Sequence, residues 1–301
     1  MYSGSDRLYR TTSARFSVIE CSGCRLLRLF PRPTPTELRG YYPDNYWFLP
    51  DEDATSRLEE LYRRLVLRDH VHFVSRAVKR AGRRGLILDV GCGGGLFLRM
   101  MAERGHRVLG LDFSLSAASI AWHGKAIPAV CGTLSKPPVA DGSCTAVTMF
   151  HVLEHLYDPV EYLESARRVL TDDGVLILQV PNAACWQLLL LGENWTGLDI
   201  PRHLFDFKLG DLEILLDQCG FEITRAKFFS LRDNPAGLAS SIAPGLDPMA
   251  RRVRRVPETS GVRLWRDLLY FFLVLAALPF TLVEAAGRAG STVFVEARKK
   301  P

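Results

Sequence analysis

From Gly85 onward the chain alternates short apolar runs with stretches whose apolar residues recur at helical spacing, and few architectures accept that rhythm. The runs "GLILDV" (85–90), "HRVLGLD" (106–112), "AIPAV" (126–130), "CTAVTMF" (144–150) and "GVLILQV" (174–180) mostly lack the polar alternation of a strand with one wet face. Strands buried on both faces need helices above and below them, and residues 96–104, 114–123 and 158–170 read as those helices. The order predicts an α/β fold, a Rossmann-like doubly wound parallel sheet. Upstream, 56–80 keeps helical spacing and predicts one or two helices. Downstream, 207–220 reads as a helix and 221–230 as a strand. The last strand candidate, 291–299, comes only after an interruption of about sixty residues.

Composition narrows the class. A charged fraction of 24% and a hydrophobic fraction of 48% over 301 residues are those of a globular protein. The seven cysteines are odd in number and scattered mostly through apolar runs, as in a reduced, cytoplasmic protein. Residues 1–16 carry charges and no apolar core, so no secretory signal is expected there. The net charge of +5 owes much to "RRVRR" at 251–255 and the terminal "RKK". That is a local basic face; a nucleic-acid groove would interleave basic and aromatic residues, and no nucleic-acid partner is expected.

The first buried run leads into "LDVGCGGGLFLRMMAERG", where Gly91, Gly93, Gly94 and Gly95 occupy a strand-to-helix turn. Such a turn lets backbone amides approach a ligand that a Cβ would block. A dinucleotide fingerprint would require glycine at position 96, where Leu96 stands. The observed form is G-x-G-x-G preceded by Asp89, and the second strand ends in Asp112, suited to hold ribose hydroxyls. At these residues the chain resembles the class I S-adenosylmethionine-dependent methyltransferases. "LDVGCGGG", "LGLDFS", "DGSCTAVTMFHVLEHLYDP" and "RRVLTDDGVLILQVPN" are similar to four of that family's motifs, in order. The resemblance implies a seven-stranded sheet whose last strand runs antiparallel, inserted between strands five and six. It implies S-adenosyl-L-methionine as cofactor, with Asp89, Gly91, Gly93 and Gly95 at the glycine loop and Asp112 on the ribose. Phe113 would flank the adenine, Thr133 and Leu134 would lie near the adenine amine, and Phe150 would complete the cofactor-facing set. Where many members have an aspartate this chain has Thr145, a change expected to affect packing rather than chemistry.

"HVLEH" at 151–155 matches the H-x-x-E-H zinc signature. A zinc peptidase needs both histidines on one rigid helix. Here the residues follow an apolar strand directly, while Asp158 and Pro159 cap and open the next helix, so a strand-end loop or a single turn is predicted. Methyl transfer suits the residue types better, because the electrophile is already activated and the protein must align a nucleophile and take its proton. His151 is the leading candidate, with Glu154 and His155 behind it. Similarity to quinone-type O-methyltransferases with an "EH" loop leaves a divalent metal at Glu154 and His155, with or without His151, as an alternative, although no metal is assigned. "NWTGLDIPRHLFDF" (194–207) is similar to a "PRH" segment of sugar, glycan or secondary-metabolite enzymes. That similarity offers Arg202 and His203 to the acceptor, with a purely structural loop as the alternative.

"CSGC" at 21–24 resembles the end of an N-terminal zinc ribbon. A second C-x-x-C upstream is lacking, and two thiolates cannot complete a tetrahedral site, so no zinc is expected. The following "YYPDNYW" offers Tyr41, Tyr42 and Tyr46 as a lid. Residues 268–283 are uncharged and follow Arg251, Arg252, Arg254, Arg255, Arg263 and Arg266. Sixteen residues fall short of a span of ~20, and Pro279 is expected to interrupt the segment. Either it touches an anionic membrane surface through 251–283 or it caps the acceptor site or a second subunit, as in a homodimer. The expected organisation is an N-terminal extension and lid (1–54), a cofactor-binding domain (55–230, closed by 291–299) and a helical insertion (231–290). The expected function is methyl transfer, at oxygen, to a small-molecule, glycan or lipid-linked acceptor, in the cytoplasm or at the cytoplasmic face of a membrane. A non-catalytic cofactor-binding or membrane scaffold is the rival from another class.

Overall fold

The computed structural model describes residues 1–43, 54–82, 85–124 and 126–300. Along the chain the strands are β1 (Tyr2–Gly4), β2 (Phe16–Glu20), β3 (Leu27–Phe30), β4 (Leu86–Val90), β5 (Arg107–Asp112), β6 (Ala129–Cys131), β7 (Cys144–Phe150), β8 (Leu170–Pro181), β9 (Phe205–Asp206), β10 (Phe221–Lys227) and β11 (Thr292–Lys299). The helices are α1 (Pro35–Gly40), α2 (Ala54–Val66), α3 (Arg68–Arg80), α4 (Leu96–Ala102), α5 (Leu115–Ser119), α6 (Pro159–Val169), α7 (Trp186–Leu191), α8 (Leu209–Gln218), α9 (Asn234–Ile242), α10 (Pro248–Val253) and α11 (Ser260–Ala286). They form two compact units. One comprises residues 47–180, 210–231 and 294–301, the other 1–46, 181–209 and 232–293.

The first unit carries the seven-stranded sheet, ordered β10, β11, β8, β7, β4, β5, β6. β4 pairs in parallel with both β5 and β7, β7 with β8, and β5 with β6, whereas β10 and β11 are antiparallel. Chain order reverses on either side of β4, which places the ligand crevice beyond the carboxyl ends of β4, β5 and β7. Val74 and Val78 of α3 and Phe97 and Met101 of α4 pack on Ile87 and Ile177 of the sheet. The predicted strands and helices hold with local shifts. β6 begins at Ala129 rather than Ala126, because Pro128 has no N–H and only accepts, from Gly110 N at 2.8 Å. α6 ends at Val169 and β8 starts at Leu170, earlier than expected. Thr145 plays a packing part: a Cβ on Gly85 would come within 2.3 Å of its Cγ2.

The second unit holds a four-stranded antiparallel sheet, ordered β1, β2, β3, β9, that the reading of residues 1–54 as extension and lid did not foresee. Phe16 and Val18 of β2 and Leu27 and Leu29 of β3 are buried in alternation with more exposed neighbours. "CSGC" makes the β2–β3 turn, with Arg25 N–H donating to Cys21 O at 2.9 Å. Hydrogen bonds from the Cys24 and Gly23 amides lower the Cys21 thiol to about 7. Tyr41 and Tyr42 follow α1, whereas Tyr46 lies outside the described residues. α11 runs unbroken through Pro279, against the expected interruption. Pro279 is on the exposed side of the helix, so its ring and missing N–H disturb the solvent face and spare the packed one.

Candidate active site

β4 ends at Val90, and the chain must then reverse into α4 within a few residues. Gly91, Gly93 and Gly95 all take left-handed backbone angles, at φ of 73°, 52° and 75°. Gly91 N–H donates to Leu111 O at 2.7 Å, which ties the loop to β5. Absence of a side chain matters as much as φ: a Cβ on Gly91 would lie 2.5 Å from Val152 Cγ2, and one on Gly95 2.9 Å from Ala121 Cβ. The glycine loop and the "HVLEH" loop are therefore in contact. Asp89, buried, accepts a hydrogen bond from Thr148 Oγ1 at 2.5 Å, linking β4 to β7.

Asp112 closes β5 and is 1% exposed. Its Oδ2 accepts from Gly93 N–H and its Oδ1 from Ser114 N–H, both at 2.9 Å. Burial pushes this carboxyl up, and the two amide donors partly offset it. The cysteine between the glycines, Cys92, is buried and faces the Asp89 and Asp112 charges; both causes raise its thiol, so it stays protonated. Phe113, directly after Asp112, is 55% exposed, an aromatic face left in solvent beside a buried carboxylate. Beyond β6, Leu134 is fully buried, and Tyr162 of α6, pushed up by burial, hydrogen bonds to the Leu134 backbone and the Thr133 side chain. Tyr162 escaped sequence reasoning because one tyrosine in an amphipathic helix carries no signal of the loop it holds. Phe150 turns to the aromatic core, edge-on to Phe97 at 5.0 Å and to His70 at 5.2 Å.

At the mouth of β7, "HVLEH" is a loop with one turn of 3-10 helix at Leu153–His155, as predicted. His151 has φ 56°, a conformation that costs a β-carbon residue roughly 1 kcal/mol. Its N–H donates to Gln179 O of β8 at 2.8 Å. Its Nδ1 lies 3.2 Å from Glu154 Oε1, with the glutamate 1% exposed and the imidazole about a quarter exposed. Glu154 can accept from Nδ1–H, which fixes the tautomer and leaves Nε2 the basic nitrogen. His155 is half-buried on the same turn.

The other unit contains His203 and the rest of the "PRH" segment. Arg202 is fully buried and spends its guanidinium on two carboxylates: Nη1 and Nη2 donate to Asp6 at 2.9 and 3.0 Å, and Nε to Asp199 at 3.0 Å. Its charge is held well above the usual range; burial opposes this, and Asp199 and Asp6 outweigh it. An acceptor anion would have to displace both acids to reach the guanidinium. His203 Nδ1 donates to Gly197 O at 2.9 Å and so carries the ring proton.

Comparison with known proteins gives a consistent set. A family model described as a methyltransferase domain matches residues 58–226. A probable S-adenosylmethionine-dependent methyltransferase of Mycolicibacterium smegmatis is 30% identical over 61% of this chain and 62% of its own length. A ubiquinone biosynthesis O-methyltransferase of Haemophilus ducreyi is 29% identical over 47% of this chain and 66% of its own. The chain thus spans less than two thirds of these curated relatives. Among solved structures, a SAM-dependent methyltransferase from Archaeoglobus fulgidus aligns with a TM-score of 0.52 at 19% identity, covering 82% of this chain and all of that one. That likeness speaks to the fold.

Proposed function

The chain belongs to the methyltransferase-domain family matched over residues 58–226, and from that premise we propose that it is an S-adenosylmethionine-dependent O-methyltransferase acting on a small, largely apolar hydroxyl compound. The observation that carries the reading is the contact of two loops in one unit. The glycine loop, with Asp112 held by Gly93 and Ser114, abuts the loop that bears the His151–Glu154 pair. The residues fit the cofactor: a left-handed glycine turn admits backbone approach, a buried carboxylate keeps acceptor lone pairs for ribose hydroxyls, and Phe113 offers its face to a base. Bound there, S-adenosylmethionine would supply a sulfonium methyl that is already electrophilic.

What the protein must add is alignment and proton removal. The acceptor hydroxyl would become acidic as the methyl group left sulfur for its oxygen, with S-adenosylhomocysteine the leaving group; His151 Nε2 is the group that would take the proton, and Glu154 would stabilise the imidazolium. The names of the ubiquinone-type relatives favour a phenolic oxygen on a ring with an apolar tail. The closed Arg202–Asp6–Asp199 cluster withdraws support from an anionic sugar acceptor. An acceptor of the favoured kind dissolves in membranes and would be met at the cytoplasmic face.

The test combines cofactor titration with turnover. Asp112→Ala should weaken S-adenosylhomocysteine binding tenfold or more by calorimetry. His151→Ala should leave binding within about twofold and slow release of S-adenosylhomocysteine on a panel of phenols by roughly 10²-fold or more. Full turnover by His151→Ala removes the assigned base. Cofactor binding with no product from any phenol, catechol or sugar acceptor would favour the non-catalytic scaffold.

A further inference from the structure

α11 is apolar on more than the side it packs. Val274, Ala277, Thr281 and Glu284 are its buried residues, with Asp267 and Tyr270 partly covered, while its exposed side from Leu268 to Ala286 is apolar throughout. Phe272 is 64% exposed, Leu268 54% and Leu282 52%, on a helix of 27 residues and so ~40 Å long. The stripe widens at both ends of the neighbouring elements. Trp186 of α7 lies 6.4 Å from the Phe280 ring, and its helix presents Leu189 and Leu190 at 79% and 67% exposure. Ile242, at the end of α9, is 60% exposed. A concentration of large apolar side chains left in water is the mark of an interaction surface rather than of scattered exposed residues.

Charge identifies the occupant. Residues 248–290 contain seven arginines and three acids, and no charge falls between Leu268 and Val283. The acids are already engaged: Glu258 pairs with Arg251 and Arg266, Asp267 with Arg251 and Arg263, and Glu284 accepts from Gln187 N–H and Nε2. Arg255 and Arg263 are exposed at the amino end of the stripe, and Arg288 follows its carboxyl end. Trp265, 67% exposed, stands beside them, as tryptophan does at a headgroup boundary. A second copy laid antiparallel would bring Arg288 against Arg255 and Arg263, where the half-exposed Asp267 is already paired with Arg251 and Arg263. We propose that the apolar face of α11, with Leu189 and Leu190, docks in the plane of a bilayer that carries anionic headgroups. The helix lies flat and does not span, because polar partners along its packed side, from Asp267 and Tyr270 to Glu284, would otherwise be carried into hydrocarbon. Docking extends the proposal of a membrane-dissolved acceptor without depending on it, and its test reads no turnover.

The full chain is floated with phosphatidylcholine vesicles, with and without phosphatidylglycerol. Wild type should float, with a partition at least tenfold higher on the anionic vesicles. Leu268→Asp with Phe272→Asp should lower the partition tenfold or more on both. Arg255→Glu with Arg263→Glu should abolish only the phosphatidylglycerol-dependent gain, consistent with roughly fivefold per basic residue near the surface. All four positions are exposed, so melting temperature and S-adenosylhomocysteine binding should stay unchanged. Wild type that floats with neither vesicle, or floats equally well with the aspartate pair, overturns the proposal. So does a concentration-dependent dimer, seen by sedimentation, that the aspartate pair dissolves in the absence of vesicle binding.

Discussion

At the scale of single residues, the site rests on backbone angles that ordinary side chains resist. Gly91 combines φ of 73° with Val152 Cγ2 2.5 Å from where a Cβ would stand. Gly91→Ala should destabilise by about 2–3 kcal/mol in urea melts, and adding Val152→Ala should recover the steric part while the ~1 kcal/mol cost of the angle persists. No recovery in the double variant would mean that the two loops do not touch. His151 holds a similar angle without being glycine, at φ 56°. His151→Gly should accordingly be about 1 kcal/mol more stable than His151→Ala, with both equally deficient in turnover. The sequence marked His151 and Glu154 through their place after an apolar run. It held no sign of the strain at His151 or of Tyr162 behind Thr133, because both arise from segments brought together only by folding.

At the scale of elements, α3 is joined to the end of β10 through Asp69. Its carboxylate lies 2.7 Å from His70 Nδ1 and accepts from Lys227 Nζ and Leu231 N–H, both at 3.1 Å. Burial alone would raise Asp69, but the bond and charge of His70, then Lys227 and Leu231, outweigh it and hold the group at about 2. A carboxyl depressed on folding stabilises above its unfolded value, near 3.8, and loses that contribution as pH falls through 2. Asp69→Asn should therefore cost roughly 2 kcal/mol at neutral pH and progressively less as pH falls from ~4 to below ~2, measured by urea denaturation across that range. The strands and helices of the sheet were legible because each is long enough to show its own period. β2 and β3 alternate as clearly, but they are four or five residues long, and β3 pairs on its far side with the two-residue β9 from far along the chain. Such short strands are stable only through non-local pairing.

At the scale of the whole molecule, one buried guanidinium gathers distant parts of the chain. Arg202 binds Asp6, Asp199 and the Tyr41 carbonyl and stacks over the Tyr9 ring at 4.5 Å. Arg202→Lys keeps the charge and loses the fork, so it should destabilise by about 3 kcal/mol or more, seen as a lower denaturation midpoint. Loss of acceptor affinity without loss of stability would instead restore the binding role that the "PRH" resemblance suggested. By itself the sequence determined the parallel sheet, the glycine turn and the acidic partner at the end of β5, which are written in periodicity and spacing within short windows, whereas methyl transfer entered through the resemblance that those motifs carry. Only the tertiary structure decided that Arg202 is locked between two acids, that Val152 presses on Gly91, and that α11 buries Thr281 and Glu284 while leaving Leu268, Phe272 and Leu282 in solvent. Burial and pairing belong to whichever distant segment arrives opposite, and a linear pattern shows how polar a residue is without showing which way it will face.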